Sequence, residues 1–262
     1  MAKQHLSLLK SDLYLPLFIT QLFGKLNTEL LKIVVVFSLS ATGLMEVAGA
    51  SISLATLCLA LFILPFFIFS ALAGHLADKY EKSFLIKRLK AMELAVVIIL
   101  IIGLLLSHTY ILLTASFLIG AQTAFFTPLK YSILPDHLEE KALVSGNGLL
   151  ETSVYAVLFV TGLTSLYAAQ TPNIVEILAT LMVFIAGLGL WASQRIPLSY
   201  AAAPDIKLNL NPLSSSLALL KMVRKREVTF LTVLGISWFW FVGATFLIQF
   251  PAYAKNTLGA DN

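Results

Sequence analysis

Apolar positions along this chain fall into long blocks, separated by short polar breaks. The blocks run roughly Leu13 to Ser38, Ser51 to Ala73, Phe84 to Leu106, Ile111 to Tyr131, Val144 to Ala168, Ile174 to Trp191 and Val228 to Tyr253. Each is near the ~20 residues that a helix needs to cross a ~30 Å hydrocarbon layer. The pattern predicts an all-α integral membrane protein with seven spans. The most polar break, Gly74 to Lys90, carries Asp78, Lys79, Lys82, Lys87, Arg88 and Lys90 between two long apolar blocks, as a turn at a membrane surface does.

Composition agrees: 58% of residues are hydrophobic and 12% charged, against roughly 45–50% and 25% in soluble domains. The formal net charge of +4 sits in the breaks, so it orients the chain and gives no reason to expect nucleic acid as a partner. The breaks near Ser40–Glu46, Ser107–Tyr110 and Ala169–Asn173 hold no Lys or Arg. The alternate ones hold Lys79 to Lys90, Lys141, and Arg195 through Arg226, and Lys3 and Lys10 precede the first span. Retention of basic loops on the cytoplasmic side then predicts a cytoplasmic N-terminus. Cys58 stands alone, which leaves no disulfide framework or thiolate metal site to propose. The first span has no cleavage pattern before it and is read as a retained helix.

Three parts are expected: a six-helix bundle over 1–194, a cytoplasmic linker over 195–227, and a seventh helix within 228–262. In the linker, Asn211-Pro212 suits a helix start. Leu213, Leu217 and Leu220 then share a face ahead of Lys221, Arg224, Lys225 and Arg226. An amphipathic surface helix and a plain linker with a basic end both fit.

Candidate chemistry concentrates in the first span. Gln21, Lys25, Glu29 and Lys32 form one polar stripe at ~100° per residue, flanked by Asn27 and Thr28. Ionisable groups at membrane depth are expensive and usually face a bundle interior or an aqueous cavity. Glu29 can neutralise Lys25 or Lys32. The stripe therefore lines a substrate pathway or ties the first helix to its neighbours. Gln122, Thr123, Thr127 and Lys130 surround Pro128 in the fourth span, and Glu151 begins the fifth. Lys130 can join the pathway or snorkel to the surface, and Glu151 can pair with Lys130 or Lys32. Trp238 and Trp240 fit an interfacial belt or contact with an acyl chain.

In the charged turn, Gly74 permits close helix approach, Asp78 can cap a neighbouring helix N-terminus, and Lys79, Lys82 and Arg88 can hold carboxylates across a cytoplasmic gate. No catalytic set stands out. His5, His75, His108 and His137 are scattered, no Gly-rich phosphate loop or Gly-x-Ser-x-Gly elbow occurs, and neither a cofactor nor a metal is expected.

The interval Gly74-His75-Leu76-Ala77-Asp78-Lys79 resembles the signature between the second and third helices of the major facilitator superfamily. Further stretches resemble one branch of it, the bacterial lysophospholipid transporter-like proteins. They include Gly24 to Lys32, Ile63 to Phe67, Phe125-Phe126-Thr127-Pro128-Leu129-Lys130-Tyr131 through Pro135, Gly146-Asn147, and Ser237 to Tyr253. The resemblance implies the N-terminal six-helix bundle of a facilitator plus helix 7. It also implies movement of lysophospholipid across the bacterial inner membrane towards an acyltransferase or acyl-activating enzyme. That branch has Phe-Asn-Asp-Asn-Leu-Phe-Lys in its first helix. Here Leu26, Thr28 and Glu29 replace its Phe, Asp and second Asn, so a carboxylate is shifted by one residue, about 100°. A complete facilitator has about twelve helices in two halves. This chain is accordingly expected to be a fragment lacking its C-terminal transporter half, with a non-transporting membrane scaffold as the other reading.

Overall fold

The computed structural model describes residues 7–40, 44–47, 50–168, 170–171, 173–206 and 211–257. Lys3, His5 and Ala169 lie outside them. Six long helices form the first unit: α1 (Leu15–Ser40), α2 (Leu54–Lys79), α3 (Lys82–Leu105), α4 (Thr109–Ser132), α5 (Glu140–Ala168) and α6 (Ile174–Ser193). A second unit, 213–262, holds α7 (Pro212–Arg224, whose first residue closes the first unit) and α8 (Glu227–Thr257). Every predicted span is helical over most of its length; residues 51–53, expected to open the second, are strand instead. Among the described residues, α2, α4, α5 and α6 are long and apolar enough to cross a membrane by length and composition alone. The charges at Lys25, Glu29 and Lys32 in α1, and at Arg88, Lys90 and Glu93 in α3, set those two helices apart.

Three local features differ from expectation. The break before α2 is a short antiparallel hairpin, Leu44–Val47 on Ala50–Ser53. Met45 and Val47 alternate there with Glu46, a period of two that a scan for long apolar blocks passes over. The charged turn between the second and third spans shrinks to Tyr80 and Glu81, because α2 runs on through Gly74, His75 and Asp78 to Lys79. His75 is thus a helix residue and not a loop residue. Glu81 then caps α3, accepting from Ser83 N at 3.0 Å and Phe84 N at 2.8 Å. The surface helix expected after Asn211-Pro212 is α7, and its Leu217 and Leu220 are exposed.

The first unit is built in layers. One apolar cluster, around Leu31, Val34, Val97, Leu100, Ile119 and Met182, fills the end near the hairpin. Another, around Tyr14, Leu17, Ile86, Leu129, Leu150 and Ile196, fills the end near the Tyr80–Glu81 turn. A polar layer from α1, α3 and α4 separates them. The closest helix pair is α2 with α4: a Cβ at Gly120 would stand 2.2 Å from the Phe62 carbonyl oxygen. Cys58 and Ser116 meet at 3.0 Å in the same seam, and Phe69 stacks on Phe125 with centroids 5.5 Å apart. Gly74, expected to mediate close approach, has nothing within 4 Å of its would-be Cβ.

Candidate functional site

The polar layer begins with a residue pair inside α3. Lys90 and Glu93 lie one turn apart, are fully buried, and pair at 2.5 Å. Asn27 of α1 donates to Glu93 Oε1 at 3.1 Å, and Gln122 of α4 donates to Oε2 at 3.2 Å. Room for the Lys90 side chain comes from two glycines. A Cβ at Gly24 would stand 2.8 Å from its Nζ, and one at Gly189 of α6 would stand 2.9 Å from its Cε. Lys90 was read from the sequence as a surface cation. It is instead threaded between α1 and α6, where only Glu93 neutralises it among the described residues. Glu93 was missed altogether. Its signal was the i, i+3 interval to Lys90 at the head of an apolar block.

The stripe on α1 folds as a relay. Glu29 holds Lys25 at 2.6 Å through Oε1 and Lys32 at 2.6 Å through Oε2, so it neutralises both lysines and not one of them. Lys32 also stands over the Phe62 ring, 5.0 Å from its centroid. Lys130 is buried and does not snorkel; its ammonium lies 3.6 Å from Glu151, which also accepts from the Tyr131 hydroxyl. That geometry selects Lys130 over Lys32 as the partner of Glu151.

These groups frame two adjoining hollows. The first, of about 250 Å³, is lined by Lys25, Gln122, Lys130, Glu151, the Lys90–Glu93 pair and the rings of Phe62, Phe66 and Phe126. The second, of about 480 Å³, is lined by Glu29, Lys32 and mainly apolar side chains of α1, α2 and α5. The pathway residues expected from the sequence therefore divide. Lys25, Gln122, Lys130 and Glu151 border the first hollow, Glu29 and Lys32 border the second, and Asn27 stands behind both on Glu93. Cationic and aromatic groups around one cavity suit an anionic or zwitterionic head group with an apolar part attached.

The signature residues are tied to the chain that follows the bundle. Lys82 is buried and binds Asp136 at 2.6 Å, with the Tyr200 carbonyl at 3.3 Å. Lys79 donates to the Ile206 carbonyl at 2.9 Å, and Arg88 lies 5.0 Å above the Phe84 ring. Of the three, Lys82 alone is paired with a carboxylate among the described residues. The Asp78 side chain is exposed, while its carbonyl accepts from Ala203 N at 2.8 Å. Residues 196–206 thus form a strap over this end of the bundle. Ser199 is its fastening: its N–H donates to Glu81 at 3.1 Å, its carbonyl accepts from Lys82 N at 3.1 Å, and its hydroxyl donates to Asp136. Burial pushes the Glu81 carboxyl up, but the hydrogen bonds from Ser83, Ser199 and Phe84 outweigh it and hold Glu81 below the ordinary carboxylate value.

Comparison with known proteins gives the family. The model described as Major Facilitator Superfamily matches residues 17–261. Among curated relatives, the Lysophospholipid transporter LplT of Pectobacterium carotovorum is 26% identical over 203 residues, which cover 77% of this chain and 48% of the relative. Proteins of the same name from Serratia proteamaculans and Escherichia coli are 26% identical over 206 residues, covering 77% of this chain and 49% of theirs. The chain spans about half the length of the curated relatives it matches.

Proposed function

The chain belongs to the major facilitator superfamily, and from that premise we propose that it serves the transport of lysophospholipid across the bacterial inner membrane. One observation carries the substrate class: the first hollow sets Lys25 and Lys130 beside three phenylalanine rings inside a bundle otherwise packed with apolar side chains. A phosphate meets the ammonium groups there, and the glycerol and chain meet the rings. Lys25, Glu29, Lys32, Gln122, Lys130 and Glu151 form the pathway, with Asn27 holding α1 to Glu93. The Lys25–Glu29–Lys32 relay allows an incoming phosphate to take one lysine while Glu29 keeps the other, so no cation is left bare. The relatives' printed name supports the same substrate. The partners this reading implies are membrane lipids and an enzyme that restores the second acyl chain.

Uptake of a fluorescent lysophosphatidylethanolamine into vesicles containing the chain, against protein-free vesicles, tests the reading. A charge-assisted hydrogen bond is worth ~1.5–3 kcal/mol, so Lys130→Gln and Glu29→Gln should each lower saturable uptake about tenfold or more. Wild-type rates in both variants would remove the relay and Lys130 from the mechanism.

The orientation in this proposal has the N-terminus in the cytoplasm, on the bias of Lys and Arg towards alternate breaks. An impermeant thiol reagent added to intact cells should modify Ser107→Cys and leave Glu139→Cys untouched, since both positions are exposed at opposite ends of α4. The reverse pattern would invert the topology. Ser83, in the first turn of α3, is unsuited to this measurement because it is fully buried against Glu81.

A further inference from the structure

The two hollows follow one another along the bundle. On each of three helices the lining passes from the first to the second within about one turn. On α1 it passes from Thr28 to Glu29, on α2 from Phe62 to Leu59, and on α5 from Val154 to Leu158. All three steps lead towards the hairpin end of the bundle, away from the Tyr80–Glu81 turn. The ion pairs of Glu29 with Lys25 and Lys32, and the Lys32–Phe62 contact, stand at the junction. Beyond them the second compartment is lined by Ile33, Val36, Phe37, Leu59 and Leu158. Its two hydroxyl residues offer a ligand little. Thr161 donates to the Val157 carbonyl at 2.8 Å and Ser165 to the Thr161 carbonyl at 3.0 Å, so both bond back into α5.

We infer that the second compartment holds the single acyl chain of the lipid while its charged head lies in the first. This assignment rests on the lysophospholipid reading above and adds to it a site, a direction and a source of selectivity. The chain points towards the hairpin end, and the Lys25–Glu29–Lys32 relay marks the boundary between glycerol and methylenes. Affinity should then depend on chain length. The dependence should level off once the compartment is full.

Gly162 offers a clean perturbation. It lines the second compartment, and a Cβ added there meets nothing within 4 Å. Gly162→Phe therefore has room for its Cβ and adds a ring to the lining of the second compartment, and a glycine removed from a helix interior favours the helix. In lipid nanodiscs, Gly162→Phe should weaken saturable binding of a long-chain lysophosphatidylethanolamine about tenfold and leave a short-chain analogue unchanged. Equal effects on both lipids, or none on either, would overturn the assignment. A lysophospholipid with a photoreactive group at the end of its chain supplies a second measurement. Adducts at Phe37, Leu59 or Leu158 that unlabelled lipid suppresses are the expected result. Suppressible adducts elsewhere on the bundle would reject the acyl compartment and leave the lysophospholipid reading standing. Adducts that unlabelled lipid does not suppress at all would reject both.

Discussion

Glu93→Gln is expected to destabilise the bundle by roughly 3–5 kcal/mol, the cost of leaving a buried charge without its partner. Lys90 is fully buried and threaded between Gly24 and Gly189, and among the described residues Glu93 alone neutralises it. The amide that replaces the carboxylate keeps the shape, loses the charge, and meets the Asn27 and Gln122 donors with a single acceptor oxygen. Replacing both members, as Lys90→Met with Glu93→Leu, should recover at least half of the loss, because two apolar side chains carry no desolvation penalty. Asn27 and Gln122 then lose their shared acceptor, which limits the recovery. Reversible unfolding in mixed micelles measures all three proteins. A loss below about 1 kcal/mol for Glu93→Gln, of the size found for solvent-exposed pairs, would mean that water reaches the pair.

The second large effect is expected at Gly120. Alanine normally stabilises a helix interior by ~0.5–1 kcal/mol over glycine. Here the added Cβ would fall 2.2 Å from the Phe62 oxygen, 3.0 Å from its carbonyl carbon and 3.1 Å from its Cα. All three are backbone atoms, so no rotamer change relieves the overlap. α2 and α4 would have to part by about an ångström, which opens the seam that holds Cys58 on Ser116 and Phe69 on Phe125. Gly120→Ala should cost about 3 kcal/mol, at the upper end of overpacking. Gly148→Ala should instead gain ~0.5–1 kcal/mol, since its Cβ meets nothing within 4 Å. The same unfolding measurement compares them. Equal stabilities would show that α2 and α4 part without cost.

What the sequence could and could not disclose follows from the range of the forces involved. The helices were legible because twenty apolar residues in a row have few other solutions. The Lys25–Glu29–Lys32 relay was legible because i, i+3 and i, i+4 neighbours are fixed by the helix itself. Pairings between helices were not. The i, i+3 interval to Glu93 marks Lys90 as paired but not as buried; its difference in depth from Arg88, exposed two residues earlier, is made by Gly24 and Gly189, sixty and more positions away. The same holds for the glycines. Gly74 sits in the signature yet has nothing within 4 Å of its would-be Cβ, whereas Gly120, in the fourth apolar block, lies against the Phe62 backbone. The strap at 196–206 was read as plain linker because Ser199, Glu81 and Asp136 join only in three dimensions.

The polar layer has a consequence for biogenesis. Lys90 and Glu93 make α3 a poor candidate for entering a bilayer by itself, as a charge at the centre of a lone span costs ~2.5–3.5 kcal/mol on insertion scales. α1, made earlier, already carries Gly24 and Asn27, the notch and the donor that α3 requires. Gln122 arrives with α4, and Gly189 only with α6, near the end of the bundle. A nascent chain released before α6 therefore holds Lys90 with one wall of its slot missing. The burial of Lys90 is thus completed only when the last helix of the bundle is in place.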